Sequence, residues 1–274
     1  MRRLVFVKLG GSILTDKTRP EAVDAALLSR VAATLADCLR QERQLRLLIG
    51  HGGGSFGHYW AARYATHHGV HDAQGWEGVA RVADAMGRLN RLVVGALLEA
   101  GIQAVGVQPS ASALAHAGTL RELATTALER MLAAPLTPVI YGDVVLDSAQ
   151  GAAIISTEAL FAYLAPRLKP QRIVLLGERG VFTADPRSDP QARLIPRIDA
   201  GNIATVLQQV GGSHGTDVTG GMAAKVHQMW QLIEAQPDLE VVLLGAEETA
   251  IRAALLGEPL PTGTLMTQRM NQEA

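Results

Sequence analysis

Residues 47–60 read LLIGHGGGSFGHYW, an apolar run that ends in a histidine and breaks into glycines. A strand running straight into a glycine-rich turn puts that turn at the strand's carboxyl end, where open α/β sheets gather their ligands. The same letters fit four chemistries. Gly52, Gly54 and Gly57 match the G-x-G-x-x-G of a dinucleotide-binding turn, and Gly53, Ser55 and Gly57 match the G-x-S-x-G of a hydrolase elbow. His51 to Gly54 spell the HGGG oxyanion loop of some lipases. The fourth reading is a phosphate cradle with His58 at its far end.

The surroundings of the loop discriminate among these. Short runs rich in Val, Ile and Leu at 3–9, 45–50, 104–107, 137–142, 172–177 and 240–245 read as buried strands. Segments 21–43, 76–100, 120–133, 157–168, 199–210 and 220–236 carry helical spacing, and 143–156 reads as a β-hairpin. Such alternation predicts an α/β sandwich with a mainly parallel sheet. No repeat or linker divides the chain; two intimate lobes, 1–165 and 166–274, are the expected organisation of one domain.

A dinucleotide turn needs an acid ending the next strand. Asp72 has the right separation from Gly52, but HHGVHDAQG around it looks like loop. The hydrolase reading fails on geometry, because HGGG and G-x-S-x-G must sit on different loops to converge on one carbonyl and here they overlap. Ser55 then reads as a loop residue bonding backbone. The phosphate reading uses more of the chain. KLGGSILTDK (8–17) ends a strand with Lys8, Gly10, Gly11 and Ser12; HGGGSFGH (51–58) repeats the device; GTDVTGGMAAKV (215–226) adds a third turn with Lys225 one turn into its helix. Glycines let backbone N–H groups approach an anion, and a helix start adds its positive end. Each turn alone could be an ordinary strand-to-helix connection. Together, with two lysines, they suit two phosphate groups held end to end, the arrangement phosphoryl transfer needs. No G-x-x-x-x-G-K-[ST] occurs, which excludes a P-loop enzyme.

In order along the chain, VKLGGSILTDK, HGGGSFGH, VQPS, YGDVV, IIS and DVTGGMAAKV resemble the amino acid kinase superfamily, and within it the isopentenyl phosphate kinases most of all. The resemblance implies a three-layer αβα fold, commonly dimeric. It also implies transfer of the γ-phosphoryl of ATP, with Mg²⁺, to the phosphate of isopentenyl phosphate, giving the diphosphate used in isoprenoid synthesis. Carried over, Lys8 and Lys225 would neutralise the transferring group, and Lys17 would reach the same phosphates. Gly10, Gly11 and Ser12 would hold the nucleotide's phosphates, with Gly177, Gly220 and Gly221 on the nucleotide side. Gly53, Gly54 and Gly57 would bind the acceptor phosphate and His58 would donate to its oxygen; relatives that phosphorylate carboxylates lack this histidine. His51 is expected to brace the turn and Asp143 to orient groups near it, a hairpin-turn role being the alternative. Val79, Val82, Ala83, Met86, Leu89 and Val93, on one helix face, are ordinary core by spacing. The resemblance suggests that some of them, with Ile154 and Ile155, wall the pocket for a five-carbon tail.

Two departures stand out. Where the family has an Asp-rich run after IIS, this chain has STEAL, leaving Glu158 as the nearest acid to order the lysines. Where relatives read like TDVDGV, it has LGERGVFTADP, with Arg179 in place of an acid. The nearest rival function is a fosfomycin-type phosphonate kinase, which shares HGGGSFGH; a regulatory nucleotide-binding domain without catalysis is another.

Composition sets the outer bounds. The chain has 274 residues, 48% hydrophobic and 19% charged, enough for a substantial core. Its formal charge is −1, with no basic block, so no nucleic-acid partner is expected. Cys38, the single cysteine, permits no intrachain disulfide and favours a cytoplasmic setting. The apolar run before Lys8 is too short for a signal sequence, and no segment suits a membrane span, so a soluble protein is expected. No protein-built metal site is expected.

Overall fold

A computed structural model describes residues 3–16, 19–186, 188–211 and 221–270. The chain begins with β1 (Arg3–Leu9), α1 (Gly11–Leu14), α2 (Ala25–Gln41), β2 (Leu45–His51), α3 (Gly54–Arg63), α4 (Ala73–Glu99) and β3 (Ala104–Gly106). It continues through β4 (Leu114–His116), β5 (Thr119–Glu122), α5 (Thr126–Ala133), β6 (Thr137–Tyr141), β7 (Asp143–Asp147), β8 (Gly151–Ile155) and α6 (Thr157–Leu168). The last part holds β9 (Arg172–Leu176), β10 (Val181–Phe182), β11 (Leu194–Ile195) and β12 (Arg197–Ile198). These are followed by α7 (Ile203–Gly211), α8 (Gly221–Ala235), β13 (Glu240–Leu244), α9 (Glu248–Leu256) and β14 (Thr264–Met266).

Eight strands form the central sheet in the order β12-β14-β13-β9-β1-β2-β6-β3. From β13 to β3 neighbouring strands are parallel; β14 runs antiparallel to β13 and carries β12 at the edge. Helices cover both faces, and the alternation of side chains along each strand feeds both cores. Val5, Val7 and Leu9 of β1 pack with α2, α4 and α9, as do Leu47 and Ile49 of β2. Phe6 and Leu48 point the other way, into a core built with α5, α6, α7 and α8. This is the expected three-layer α/β arrangement with a mainly parallel sheet. A second sheet, β5-β4-β7-β8, lies outside it, and its β7–β8 pair is the expected hairpin.

Three helices begin where the sequence offers a side-chain cap. Asp24, Ser156 and Asp72 accept from the backbone N–H of Leu27, Ala159 and Gly75. Asp72 is thus the N-cap of α4 and not the acid at a strand end that a dinucleotide turn requires.

Several elements differ from expectation. The predicted helix 120–133 starts only at Thr126, because Thr119–Glu122 pairs with β4 instead. The glycine loop after β2 closes at once into α3. The Pro and Asp content of residues 185–197 predicts a loop, yet Leu194–Ile195 forms the two-residue β11 and Arg197 opens β12.

Gly50 in β2 shows how tightly α6 is seated. A Cβ there would lie 2.4 Å from Thr157 Cγ2 and 2.8 Å from Phe161 Cζ. Gly50→Ala should therefore push α6 off the sheet and lower stability by about 1–3 kcal/mol, the usual range for overpacking. Urea unfolding measures this, and an unchanged midpoint would show that α6 can shift without strain.

Candidate active site

The site forms where β9, β1 and β2 end side by side. Successive connections leave β1 towards β2 on one side and return to β9 on the other, so β1 and β9 mark a topological switch point. A row of backbone bonds fixes the relative heights of the strand ends. Gly177 donates to Leu244, Gly10 to Leu176, Gly52 to Leu9 and Gly142 to His51, all at 2.8–3.0 Å.

Two glycine turns emerge from this row and meet backbone to backbone. A Cβ on Gly11 would lie 2.8 Å from Gly54 Cα. Gly54 adopts φ +48, and a Cβ there would collide with Thr15 Oγ1 at 2.2 Å, so both positions need glycine. Thr15 Oγ1 accepts from Ser55 N–H at 2.9 Å and donates to Gly11 O at 3.0 Å, stitching the first turn to the second. Ser55 Oγ accepts from Ala22 N–H at 3.2 Å. This is the backbone-bonding role anticipated for Ser55, in a buried place that leaves no nucleophile on an elbow. Gly53 is the N-cap of α3 and Gly57 lies in its first turn, while exposed His58 shares the helix face of Gly54.

The lysines converge from different elements. Lys8 shares the β1 face of Phe6 and reaches α6, where Glu158 accepts its hydrogen bond. Burial holds the Lys8 ammonium below the usual lysine range, with the Glu158 charge opposing that shift. At Glu158 burial pushes upward, but the Lys8 charge and hydrogen bond win, leaving the carboxyl below its ordinary range. Lys225, one turn into α8, donates to Glu178 Oε1 at 2.8 Å. Glu178 follows Gly177 in the connection after β9 and has a half-exposed side chain. Lys8 and Lys225 are near enough to act on one another electrostatically. Ser12 is the second residue of α1, and Gly221 opens α8 with φ +63. Lys17 and Gly220 lie outside the described residues.

Beside the second turn is a small apolar cluster of Val70, Val82, Met86, Tyr141, Val144 and Ala152, bordered by Trp60, Val79 and Ala83. Met86 Sδ would stand 3.3 Å from a Cβ on Gly53, so this cluster reaches the turn itself. Leu89 and Val93, on the same helix, belong to the core under the sheet. Ile155, expected along the pocket wall, is buried. It pairs with Asp143, and its side chain points into the α5–α6 core, whereas Ile154 shares the face of Val144 and is partly exposed. Asp143 is buried and accepts from Ser110 N–H at 3.1 Å and Val144 N–H at 2.9 Å. Burial pushes its carboxyl up to about 6 against those bonds. Those contacts tie the start of β7 to the segment at Ser110, while the hairpin turn itself is bonded by Asp147, which accepts from Ala149 and Gln150 N–H.

Three partners escaped sequence reasoning. Glu178 was visible only as part of a departure from a pattern. Glu21, at φ +51, accepts from Trp60 Nε1 at 2.6 Å and Arg88 Nη2 at 2.7 Å, tying the segment after the first turn to α3 and α4. Asn90 bonds buried His51. No local signal joins residues so far apart in the chain. A surface cleft of about 690 Å³, lined by Trp76, Leu114, His116, Arg121 and Leu146 among others, touches none of the glycine turns or lysines. Among the described residues no three His, Cys, Asp or Glu side chains gather as they would around a metal ion, and no helix is long and apolar enough to cross a membrane.

Comparison with known proteins agrees with this geometry. The amino acid kinase family model matches residues 3–243. An isopentenyl phosphate kinase of Methanothermobacter thermautotrophicus is 35% identical, over 96% of this chain and 99% of its own. One from Haloferax volcanii is 41% identical over 84% of this chain and 88% of its own. A solved isopentenyl phosphate kinase superposes with a TM-score of 0.81 at 32% identity, over 97% of this chain and 100% of its own. With its glycine turns, paired lysines and three-layer fold, the chain belongs to the amino acid kinase family, in the branch of the isopentenyl phosphate kinases.

Proposed function

We propose that this protein transfers the γ-phosphoryl group of ATP to the phosphate of isopentenyl phosphate, yielding isopentenyl diphosphate and ADP. The observation that carries this reading is the joining of the turns at Gly11 and Gly54, with Lys8 beside them. In the proposed reaction a phosphate oxygen of the acceptor forms the new P–O bond as the bond from γ-phosphorus to the β-bridging oxygen breaks. ADP leaves with that electron pair. The acceptor is already an anion, so no base has to remove a proton, and catalysis reduces to positioning and charge stabilisation.

The roles follow from the placement of the residues. Gly10, Gly11 and Ser12 offer backbone N–H groups to the nucleotide, and Gly177 and Gly221 border its side of the site. Gly53, Gly54 and Gly57 receive the acceptor phosphate, and His58 supplies a further donor. Lys8, ordered by Glu158, and Lys225 neutralise the moving group. Lys17 is assigned to the same phosphates by its motif. Met86 and its apolar neighbours suit the alkenyl tail and favour it over the small polar acceptor of a phosphonate kinase. Magnesium belongs to the same proposal as an ion carried on the nucleotide's phosphates, whose charge it spreads. It keeps several waters and needs few protein ligands, which fits a site whose two glutamates already hold lysines. A homodimer, a cytoplasmic setting, and a division into acceptor (1–165) and nucleotide (166–274) sides complete the reading, each carried by the family resemblance or the sequence.

An ADP-release assay with isopentenyl phosphate, dimethylallyl phosphate, fosfomycin, acetylglutamate and UMP in parallel tests the assignment; turnover of fosfomycin alone would sink it. With isopentenyl phosphate, His58→Ala should lower kcat about 10²–10³-fold, the effect of losing one donor at the reacting group, and His58→Gln should retain part of the rate. Near-normal turnover by His58→Ala would remove the histidine from the mechanism.

Glu158→Gln should shift the pH profile in a fixed direction. Burial depresses the Lys8 pKa and Glu158 opposes it. Without that carboxylate Lys8 loses its proton at lower pH, and the alkaline limb of kcat/KM moves to lower pH. A limb that stays in place would mean that the charge of Lys8 does not govern the rate.

A further inference from the structure

The second glycine turn has a buried support that catalysis does not touch. His51, the last residue of β2, is fully buried and stacks on Tyr141 with ring centroids 5.2 Å apart. Its Nδ1 lies 3.1 Å from Gly52 O, and its Nε2 lies 3.1 Å from Asn90 Nδ2. A carbonyl oxygen only accepts, so Nδ1 must carry the proton. In the neutral ring Nε2 is then an acceptor, and the Asn90 amide donates to it. Burial supports the neutral form, lowering the imidazolium pKa to about 4.

The same residue holds two further elements through its backbone. His51 O accepts from Gly142 N–H at 3.0 Å and from Thr157 Oγ1 at 2.6 Å. Thr157 directly precedes Glu158, the partner of Lys8. Asn90 lies one helical turn beyond Met86, which packs against Gly53. Gly106 leaves room for the amide, since a Cβ there would come within 2.5 Å of Asn90 Oδ1. His51 therefore ties the turn to α4 through its ring and to the start of α6 through its carbonyl.

We propose that Asn90 and His51 are positioning residues for the acceptor-phosphate turn: Asn90 fixes the His51 tautomer, and the ring in turn holds the Gly52 carbonyl, aiming the N–H groups that follow. This inference rests on the kinase reading above. It makes the acceptor side, and not the nucleotide side, dependent on a side chain that meets no substrate. Gly10 has an anchor of its own in Leu176 O, so the nucleotide side keeps a support that the His51–Asn90 pair does not supply.

The experiment pairs a spectroscopic measurement with kinetics. ¹⁵N chemical shifts of His51 in the unmodified protein should report the Nδ1–H tautomer at neutral pH. An Nε2–H tautomer or an imidazolium would overturn the inference without reference to any substrate. Asn90→Leu removes the donor and leaves Nε2 unsatisfied, and should raise the KM for isopentenyl phosphate about tenfold, as expected for one unpaired buried group. The KM for ATP should stay within about twofold. Equal rises in both constants, or no rise, would overturn the inference. Asn90→Asp should restore part of the acceptor affinity by pairing with a charged His51, whose protonation then appears in the pH profile of the acceptor KM. Failure of the unmodified protein to turn over isopentenyl phosphate would count against the proposed function instead, leaving the tautomer measurement to judge the positioning pair.

Discussion

The contact of Gly11 with Gly54 sets the scale of everything around it. Two parallel strands hold their ends about 4.8 Å apart, and turns growing from both would collide if either carried a side chain. Glycine at both points lets the backbones touch. The two turns then meet directly, backbone against backbone. Thr15 and Ser55 fill the seam with hydrogen bonds, so the closeness is held and not merely permitted. The strand register beneath makes this reproducible, because Leu9 faces His51 across the ladder. A one-residue slip would separate the turns and invert the faces of the strands.

Charge is organised on a second tier. Lys8 projects to one side of the sheet and finds Glu158 at the start of α6, where the Ser156 cap fixes the helix. Lys225 approaches from α8 and meets Glu178 beyond β9. Each cation is thus set by a carboxylate from a different element, and the carboxylates differ in exposure: Glu158 is buried and Glu178 half exposed. In STEAL (156–160) Glu158 is the acid beside Lys8.

Much of this was legible in the sequence because parallel strands buried on both faces leave continuous apolar runs, and their glycines mark the strand ends. RLVFVKL and LRLLIG are strands for that reason. What the runs do not show is which alternate residue faces which layer. Ile154 and Ile155 look equivalent in a string, and only the pairing of Ile155 with Asp143 sends one inward and the other outward. The helix expected from residue 120 failed for a related reason. Thr119–Glu122 suits either state, and its partner in β4 decides between them. His58 could be singled out because it sits inside a motif; Asn90 could not, since its significance lies in a bond to a residue 39 positions away. Glu21 likewise acquires meaning only from Trp60 and Arg88.

The half-exposed Lys225–Glu178 pair has a consequence for selectivity among anions. An ammonium already facing a carboxylate gains little from exchanging it for another singly charged ion, such as acetate or chloride. A polyphosphate offers several charges and many oxygens, and can repay the loss of the glutamate. Under the proposed function, the pair therefore acts as a valence filter, favouring ligands that carry their charge in multiples over the small anions of the medium.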